Sequence, residues 1–450
     1  MKMPKHPPQW ELLLRNQLEE DRLTQLLVRR PEIRSEEKYL HWDKLRHLTP
    51  PAELSHEEWW LLLKLGRQEG IRQVGLRDRK GVPFQFAMPD LIVEDLHQID
   101  LGAGGSVGMP EQITNPQTRN RYLIRSLMEE AITSSQLEGA VTTREVAKEM
   151  IRTGRKPRDV SEQMILNNYR TMQKIRTLKE EPLSRDLVFQ IHRMVTDKTL
   201  DDPTAAGRFR RPDEKRVVGD DYGEIFHDPP AADELERRME AMCDFANAKT
   251  PDYFVHPVIR AILLHFWLAY DHPFYDGNGR TARALFYWSM LKSGYWLFEF
   301  ISISNILTRS PSKYYRSFLY TETDDNDMTY FVVAQMKVIR QAIQALHDYI
   351  KQKTAEVREV ESQMRALDFF NHRQVALIRH ALKNPGRRYT FNSHKTSHNI
   401  SYQTARTDLL GLKEREILEE KSTGKPIHFI APSDLSNRLL RLNEETQIEF

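Results

Sequence analysis

The sequence predicts a mainly α-helical protein with two small β-hairpins. Three observations carry that reading. Apolar residues recur at spacings of three to five over long stretches, paired strand signals are confined to two short segments, and the glycines and prolines that break the pattern cluster between helical blocks. At 450 residues the chain is long enough for about three domains, each with a buried core.

Taken in order, residues 1–105 mix charged helical patterns with breaks such as Pro50-Pro51 and carry an apolar block from Trp59 to Leu65, which predicts a helical N-terminal module. The segment LGAGGSVGMP at 101–110 has the composition of a flexible connector. It does not fit GxGxxG, and no GxxxxGK[ST] follows it. From about 120 to 200 the pattern is helical, with Ile124, Leu127 and Ile132 and then Ile165, Tyr169, Met172 and Ile175 on repeating faces. Val217-Val218 and Ile225-Phe226 flank the turn-rich GDDYG and predict a hairpin over 215–228. Val255 to Tyr270 is apolar nearly all round, as expected of a central buried helix that ends at His272. Towards the C-terminus, a helix around Gln374–Leu382, a break at Asn384-Pro385-Gly386, a helix around Thr404–Arg415, and strands at 417–421 and 427–431 around STGKP predict a winged helix over 366–435.

Composition excludes several classes. Lys and Arg number 66 against 64 Asp and Glu, a formal charge of +2, so no global excess points to nucleic acid or an anionic membrane, and any basic surface is local. One cysteine, Cys243, supplies neither an internal disulfide nor a thiolate cluster, which fits a reducing compartment. The opening MKMPKHPPQWELLL lacks the apolar core of a secretory signal, and no run is long enough to span a bilayer. The expectation is a cytoplasmic protein without membrane contact.

The chemistry concentrates in His272–Arg283, HPFYDGNGRTAR. Gly277, Asn278 and Gly279 lead into a helix expected to begin near Arg280, and free N–H groups at such a start cradle phosphate oxygens, to which the Asn278 amide can add a donor or an N-cap. Arg280 and Arg283 are three apart, neighbours on one face, where two guanidinium groups suit successive phosphates of a nucleotide. Asp276 offers the hard oxygen that Mg²⁺ takes when it bridges protein and phosphate, and His272 is a base near neutrality. Taken singly, a core histidine, an ordinary turn and solvated arginines would account for these residues. Gathered within twelve positions they point to phosphoryl or nucleotidyl transfer.

This stretch resembles the signature HPFx[D/E]GNGRxxR of the Fic (filamentation induced by cAMP) family, matched by His272, Pro273, Phe274, Asp276, Gly277, Asn278, Gly279, Arg280 and Arg283. The similarity extends to His256-Pro257, Ala261 and His265, to Ala206-Gly207-Arg208-Phe209-Arg210, and to Tyr314-Tyr315 with Asp327-Met328-Thr329, roughly residues 120–345. The resemblance implies a helical core with a β-hairpin flap at 215–228, and transfer of AMP from ATP, with Mg²⁺, to a Ser, Thr or Tyr hydroxyl of a target protein held on the flap edge. Relatives that phosphorylate instead carry lysine where this chain has Asp276.

A second motif, Ser134-Ser135-Gln136-Leu137-Glu138-Gly139, matches the [S/T]xxxE[G/N] inhibitory helix of Fic proteins in which that helix precedes the core. By resemblance, Glu138 pairs with Arg283 and occupies the cation that the γ-phosphate of ATP needs. An alternative role for the same glutamate, also implied by the resemblance, is to position water for removal of AMP. The implied domains are 1–105, a catalytic domain with its inhibitory helix at 111–355, and a winged helix at 366–435. Residues 369–432 carry eleven Lys or Arg against five Asp or Glu, with Gln403, Thr404 and Arg406 near the start of the recognition helix, which leaves DNA or a protein as its ligand and a homodimer open. The rival to an enzyme is a DNA-binding regulator whose Fic core senses nucleotide.

Overall fold

The computed structural model describes the whole chain except residues 1, 17–21, 23, 27–38, 52, 53, 69, 105–115, 215, 220–222, 365–369, 385, 422–426, 449 and 450. It divides into two compact units, one of residues 1–107 and 123–344, the other of 108–122 and 345–450. The N-terminal residues set apart on sequence therefore pack within the same unit as the Fic motif.

In the first unit, α1 (His56–Gln68) opens with Ser55 and Glu58 bonded reciprocally, a capping box. It buries Trp60, Leu61 and Leu63 against Leu13, Trp42 and Leu45. The N-terminal module is not purely helical. β1 (Arg72–Arg77) and β2 (Pro83–Phe86) form an antiparallel hairpin, with Val74 and Leu76 turned inward and the flanking residues out. Helix α2 (Asp90–Ile99) runs into a π-helical turn at Asp100–Gly104, so the first residues of the expected connector are ordered, and the rest of it lies outside the described residues.

Next come α3 (Pro116–Leu137), α4 (Arg144–Thr153), α5 (Val160–Leu178) and α6 (Arg185–Thr196). The side chains of Thr143, Asp159 and Ser184 cap the last three. The expected hairpin is present as β3 (Val218–Gly219) paired with β4 (Ile225–His227); its turn residues 220–222 lie outside the described ones. Helices α7 (Leu235–Ala246), α8 (Pro257–Asp271) and α9 (Asn278–Lys292) follow, and α8 and α9 are the centre of the core. Both are buried on nearly every face, with Phe266, Trp267, Tyr287 and Trp288 filling the space between layers. Helices α10 (Pro311–Thr323) and α11 (Thr329–Met364) complete the order. The loop between them pairs with β2, Gln85 N donating to Asn326 O at 3.1 Å and Met328 N to Gln85 O at 2.8 Å.

In the second unit, α12 (His372–Lys383), β5 (Arg388–Tyr389), α13 (Phe391–His398), α14 (Tyr402–Glu414), β6 (Glu419–Lys421) and β7 (His428–Ile430) surround their own core, in which Leu409, Leu412, Ile417 and Phe429 are fully buried. The sheet order is β5-β7-β6, all antiparallel. The two helices and the closing strand pair expected within 366–435 are present, and β5 and α13, which the sequence reading did not anticipate, lie between the helices. The STGKP turn itself falls at residues outside the described set. Among the described residues no helix is long and apolar enough to cross a membrane.

Candidate active site

Helix α8 starts at Pro257, whose missing N–H costs nothing in the first turn, under a cap from the His256 side chain to Val258 N at 3.3 Å. It stops at His272, which takes left-handed backbone angles (φ 44, ψ 54). Such a conformation is uncommon outside glycine and persists where neighbours over-determine it. Here Arg210 does so: its Nε donates to His272 O at 3.0 Å and its backbone N–H to Pro273 O at 2.9 Å. The His272 ring is half-buried and hydrogen-bonded to the Ala269 carbonyl, which leaves the other ring nitrogen to accept a proton. Burial first, and then the charge of His227, push its pKa down to about 4, so the ring is neutral at physiological pH.

His227 on β4 is itself a cation. One ring nitrogen faces Glu322 Oε2 and the other Tyr270 O, both at 2.7 Å, and since both partners only accept, both nitrogens must carry protons. Burial opposes that charge, and Glu322, the Tyr270 carbonyl and Asp271 together hold the pKa above its ordinary value. This contact ties the base of the hairpin to α8 and α10, while Arg216 stacks on Tyr275 at 3.6 Å from the ring centroid.

The loop 273–277 is locked from inside. The Asn278 side chain accepts from Phe274 N and donates to Phe274 O, both at 2.9 Å. Asn278 is thus not the N-cap, and its side-chain oxygen and one amide N–H hold the loop. Phe274 stacks on His192 (3.8 Å between centroids), whose Nε2 donates to Asp276 O at 2.8 Å while its Nδ1 accepts from Gly207 N at 2.9 Å. Those bonds fix a neutral His192, and burial holds its pKa down to about 4.

Helix α9 begins at Asn278, two residues before the expected start, with Gly277 as an N-cap that offers no side chain. Thr281 N bonds Gly277 O, so the N–H groups of Asn278, Gly279 and Arg280 have no partner within the helix. Three aligned donors at the positive end of a helix dipole make an anion cradle. Arg280 also anchors this helix start. Its guanidinium is buried and donates to Val195 O at 2.9 Å and to Asp276 Oδ2 at 3.1 Å, which ties α9 to α6 and orients the Asp276 carboxylate. Asp276 is 52% exposed.

Arg283, only 2% exposed, is the cation that faces the end of α3. Its Nε donates to Ser134 Oγ at 2.8 Å, and its Nη2 to Ser134 O and Glu138 Oε1, both at 2.9 Å. Burial opposes the Arg283 charge, yet Glu138, followed by Tyr314 and Glu130, sustains it. Glu138 also lies directly over the helix start. A Cβ built on Gly279 would sit 2.2 Å from Glu138 Oε1 and 2.8 Å from its Cδ, so only glycine admits this carboxylate. Gly139, in the left-handed region at φ 91, ends α3 so that Glu138 turns inward, with Ala140 N bonding back to Ser135 O at 3.0 Å.

The structure thus gathers every expected site residue of His272–Arg283 with Ser134, Glu138 and Gly139 in one compact unit. The arrangement defines a Fic-type anion site with a carboxylate over it. Residues 182–290 match the Fic/DOC family, and the chain carries a Fic domain. It is 38% identical over 117 residues to the protein adenylyltransferase Fic of Nematostella vectensis, covering 26% of this chain and 25% of that one. It is 35% identical over 108 residues to the enzyme of that name from Drosophila willistoni, covering 24% and 20%. The match spans about a quarter or less of those relatives. A Fic family protein from Desulfovibrio desulfuricans shares the fold at 20% identity and a TM-score of 0.51, over 76% of this chain and 96% of its own.

His192 and His227 were not singled out on sequence. His192 meets its partners 84 and 15 residues away, and no local spacing marks it. For His227 the signal was its position at the end of a strand just before Asp228-Pro229-Pro230, where the hairpin must rejoin the core.

Proposed function

We propose that this chain is a protein adenylyltransferase restrained by Glu138. The observation that carries the reading is the Glu138 carboxylate, hydrogen-bonded to Arg283 and seated over Gly279 where phosphate oxygens would approach the α9 N–H groups. A carboxylate there imitates the ligand that it displaces.

When Glu138 withdraws, the triphosphate of ATP takes the α9 N–H groups and its γ-phosphate pairs with Arg283, which sets the α-phosphorus in line with the incoming hydroxyl. The neutral ring nitrogen of His272 accepts the hydroxyl proton as oxygen bonds to the α-phosphorus; the bond from that phosphorus to the α,β-bridging oxygen breaks and pyrophosphate leaves. Arg280 acts by aiming Asp276. The donor chemistry fits Mg²⁺, since one oxygen of an exposed carboxylate is engaged by Arg280 and the other is open to the solvent side. Mg²⁺, when bound, neutralises phosphate charge. The target segment adds as a strand to the hairpin at 215–228, whose Val217 and Ile225 are exposed.

Intact-mass analysis after incubation with ATP and Mg²⁺ tests this. Glu138→Gly gains the mass of AMP on itself, and Glu138→Gly with His272→Ala gains nothing. A phosphoryl adduct, or equal label on wild type and Glu138→Gly, contradicts the proposal.

A further inference from the structure

The second unit carries a charge asymmetry that AMP transfer does not use. Residues 371–413 contain eight Lys or Arg and one carboxylate, Asp408. That carboxylate is buried and faces inward, accepting from Arg373 Nε and Asn371 Nδ2, both at 2.8 Å, and from His394 Nε2 at 3.1 Å. On the outer surface of α12, α13 and α14, Arg373 is turned onto Asp408 and Lys413 pairs with Glu420 of β6, while Lys395 and Arg406 face no carboxylate among the described residues. The acidic groups lie beyond it: Glu414, Glu416 and Glu420 are exposed at the end of α14 and on β6.

Helix α14 is built to present one face. Ala405, Leu409 and Leu412 anchor it in the core, and Ser401 caps it, accepting from Thr404 N at 3.0 Å. Gln403, Arg406 and Thr407 are exposed and fall at i, i+3 and i+4, a single outward stripe. Lys395 on α13 is exposed beside it, across the short turn at Asn399. Neither Lys395 nor Arg406 has an ion-pair partner among the described residues. Among the described residues of this unit, Tyr402 is the single large apolar side chain that is exposed (48%). A protein-binding face would need an apolar centre, which this one does not offer. A helix with amide, hydroxyl and guanidinium groups on its free face, about 10–12 Å across, has the dimensions and chemistry of a major-groove reader.

We propose that the C-terminal unit binds duplex DNA, α14 entering the major groove with Gln403 and Arg406 at the base edges and Lys395 on the phosphate backbone. This goes beyond AMP transfer and stands or falls apart from it.

The test is fluorescence anisotropy of the full-length chain with a labelled mixed-sequence DNA duplex, repeated across salt. Binding should weaken with salt, with a slope of log K on log salt of about −0.9 per phosphate contact. Lys395→Glu with Arg406→Glu should weaken binding at least tenfold and flatten that slope by about 2. Arg237→Glu, an exposed change in the other unit, should leave binding unchanged. Lys395→Gln with Arg406→Gln gives the milder form of the same loss should the glutamates disturb folding, which far-UV circular dichroism monitors. Absence of duplex binding, binding insensitive to salt, equal loss with Arg237→Glu, or a preference for single strands or RNA overturns the proposal.

Discussion

Replacing Glu138 by glycine removes one charge-assisted hydrogen bond from Arg283 and clears the space over Gly279. An exposed ion pair contributes at most about 1 kcal/mol, but Arg283 is 2% exposed and Glu138 24%, so the buried regime applies. A hydrogen bond to a charged group contributes about 1.5–3 kcal/mol, and ATP must displace this one to reach Arg283. The γ-phosphate contact in the variant no longer competes, and Mg²⁺-ATP should bind about 10- to 150-fold more tightly. Ser134 still holds Arg283 through two bonds, so the guanidinium keeps its position. The variant without nucleotide should be less stable, because a buried cation has lost its counter-charge, and ATP should restore that stability. Calorimetric titration with Mg²⁺-ATP, in a His272→Ala background to prevent turnover, reads the affinity; a change of less than about twofold would refute the reasoning.

Gly279→Ala separates release from blockage. Its Cβ would meet Glu138 Oε1 at 2.2 Å and drive the carboxylate off Arg283, yet it also fills the phosphate's approach to α9. AMP incorporation should stay at or below the wild-type level, in contrast to Glu138→Gly. Gly139→Ala forces a φ of 91 on a residue with a Cβ, at a cost of about 1–2 kcal/mol, and should loosen the end of α3 enough to give self-modification between wild type and Glu138→Gly by intact mass. His272 is depressed to about 4 by burial and by His227, so the base stays unprotonated above that pH. kcat/KM for ATP in Glu138→Gly should therefore hold constant down through pH 6.5 and fall only as pH approaches about 4. Stability behaves differently. His192 and His265 are lowered by burial to about 4 and about 3, so between pH 6.5 and those values the unfolded chain binds protons that the folded one does not, and stability falls with pH by about 2 kcal/mol per histidine at pH 5. Urea unfolding at pH 5 and 7.5 measures it, and His192→Gln should shrink the difference.

The site was legible in sequence where its chemistry is contiguous. His272 to Arg283 lies within one loop and one helical turn, and Glu138 follows a motif that carries its own glycine stop. What the sequence did not disclose is how those side chains are used. Asn278 and Arg280 read as ligands because amide and guanidinium donors suit phosphate, and part of each donor set also holds the loop: Asn278 on Phe274, Arg280 on Val195 and Asp276. Whether a donor is free depends on partners brought in by tertiary packing, as with Val195, 85 residues away. The β1–β2 hairpin was hidden by its neighbours. Val74 and Leu76 alternate inward, but the strand is short, and the strongly helical Trp59–Leu65 block next to it dominated the pattern.

The central claim is that one triphosphate pocket is shared, in turn, by ATP and by Glu138. A crystal structure of Glu138→Gly with His272→Ala, bound to Mg²⁺-ATP, tests it most directly. The account predicts γ-phosphate oxygens on Arg283, phosphate oxygens on the N–H groups of Asn278, Gly279 and Arg280, and the α-phosphorus facing residue 272. ATP bound elsewhere, or bound with Arg283 still committed to Ser134 alone and the α9 N–H groups facing water, contradicts it.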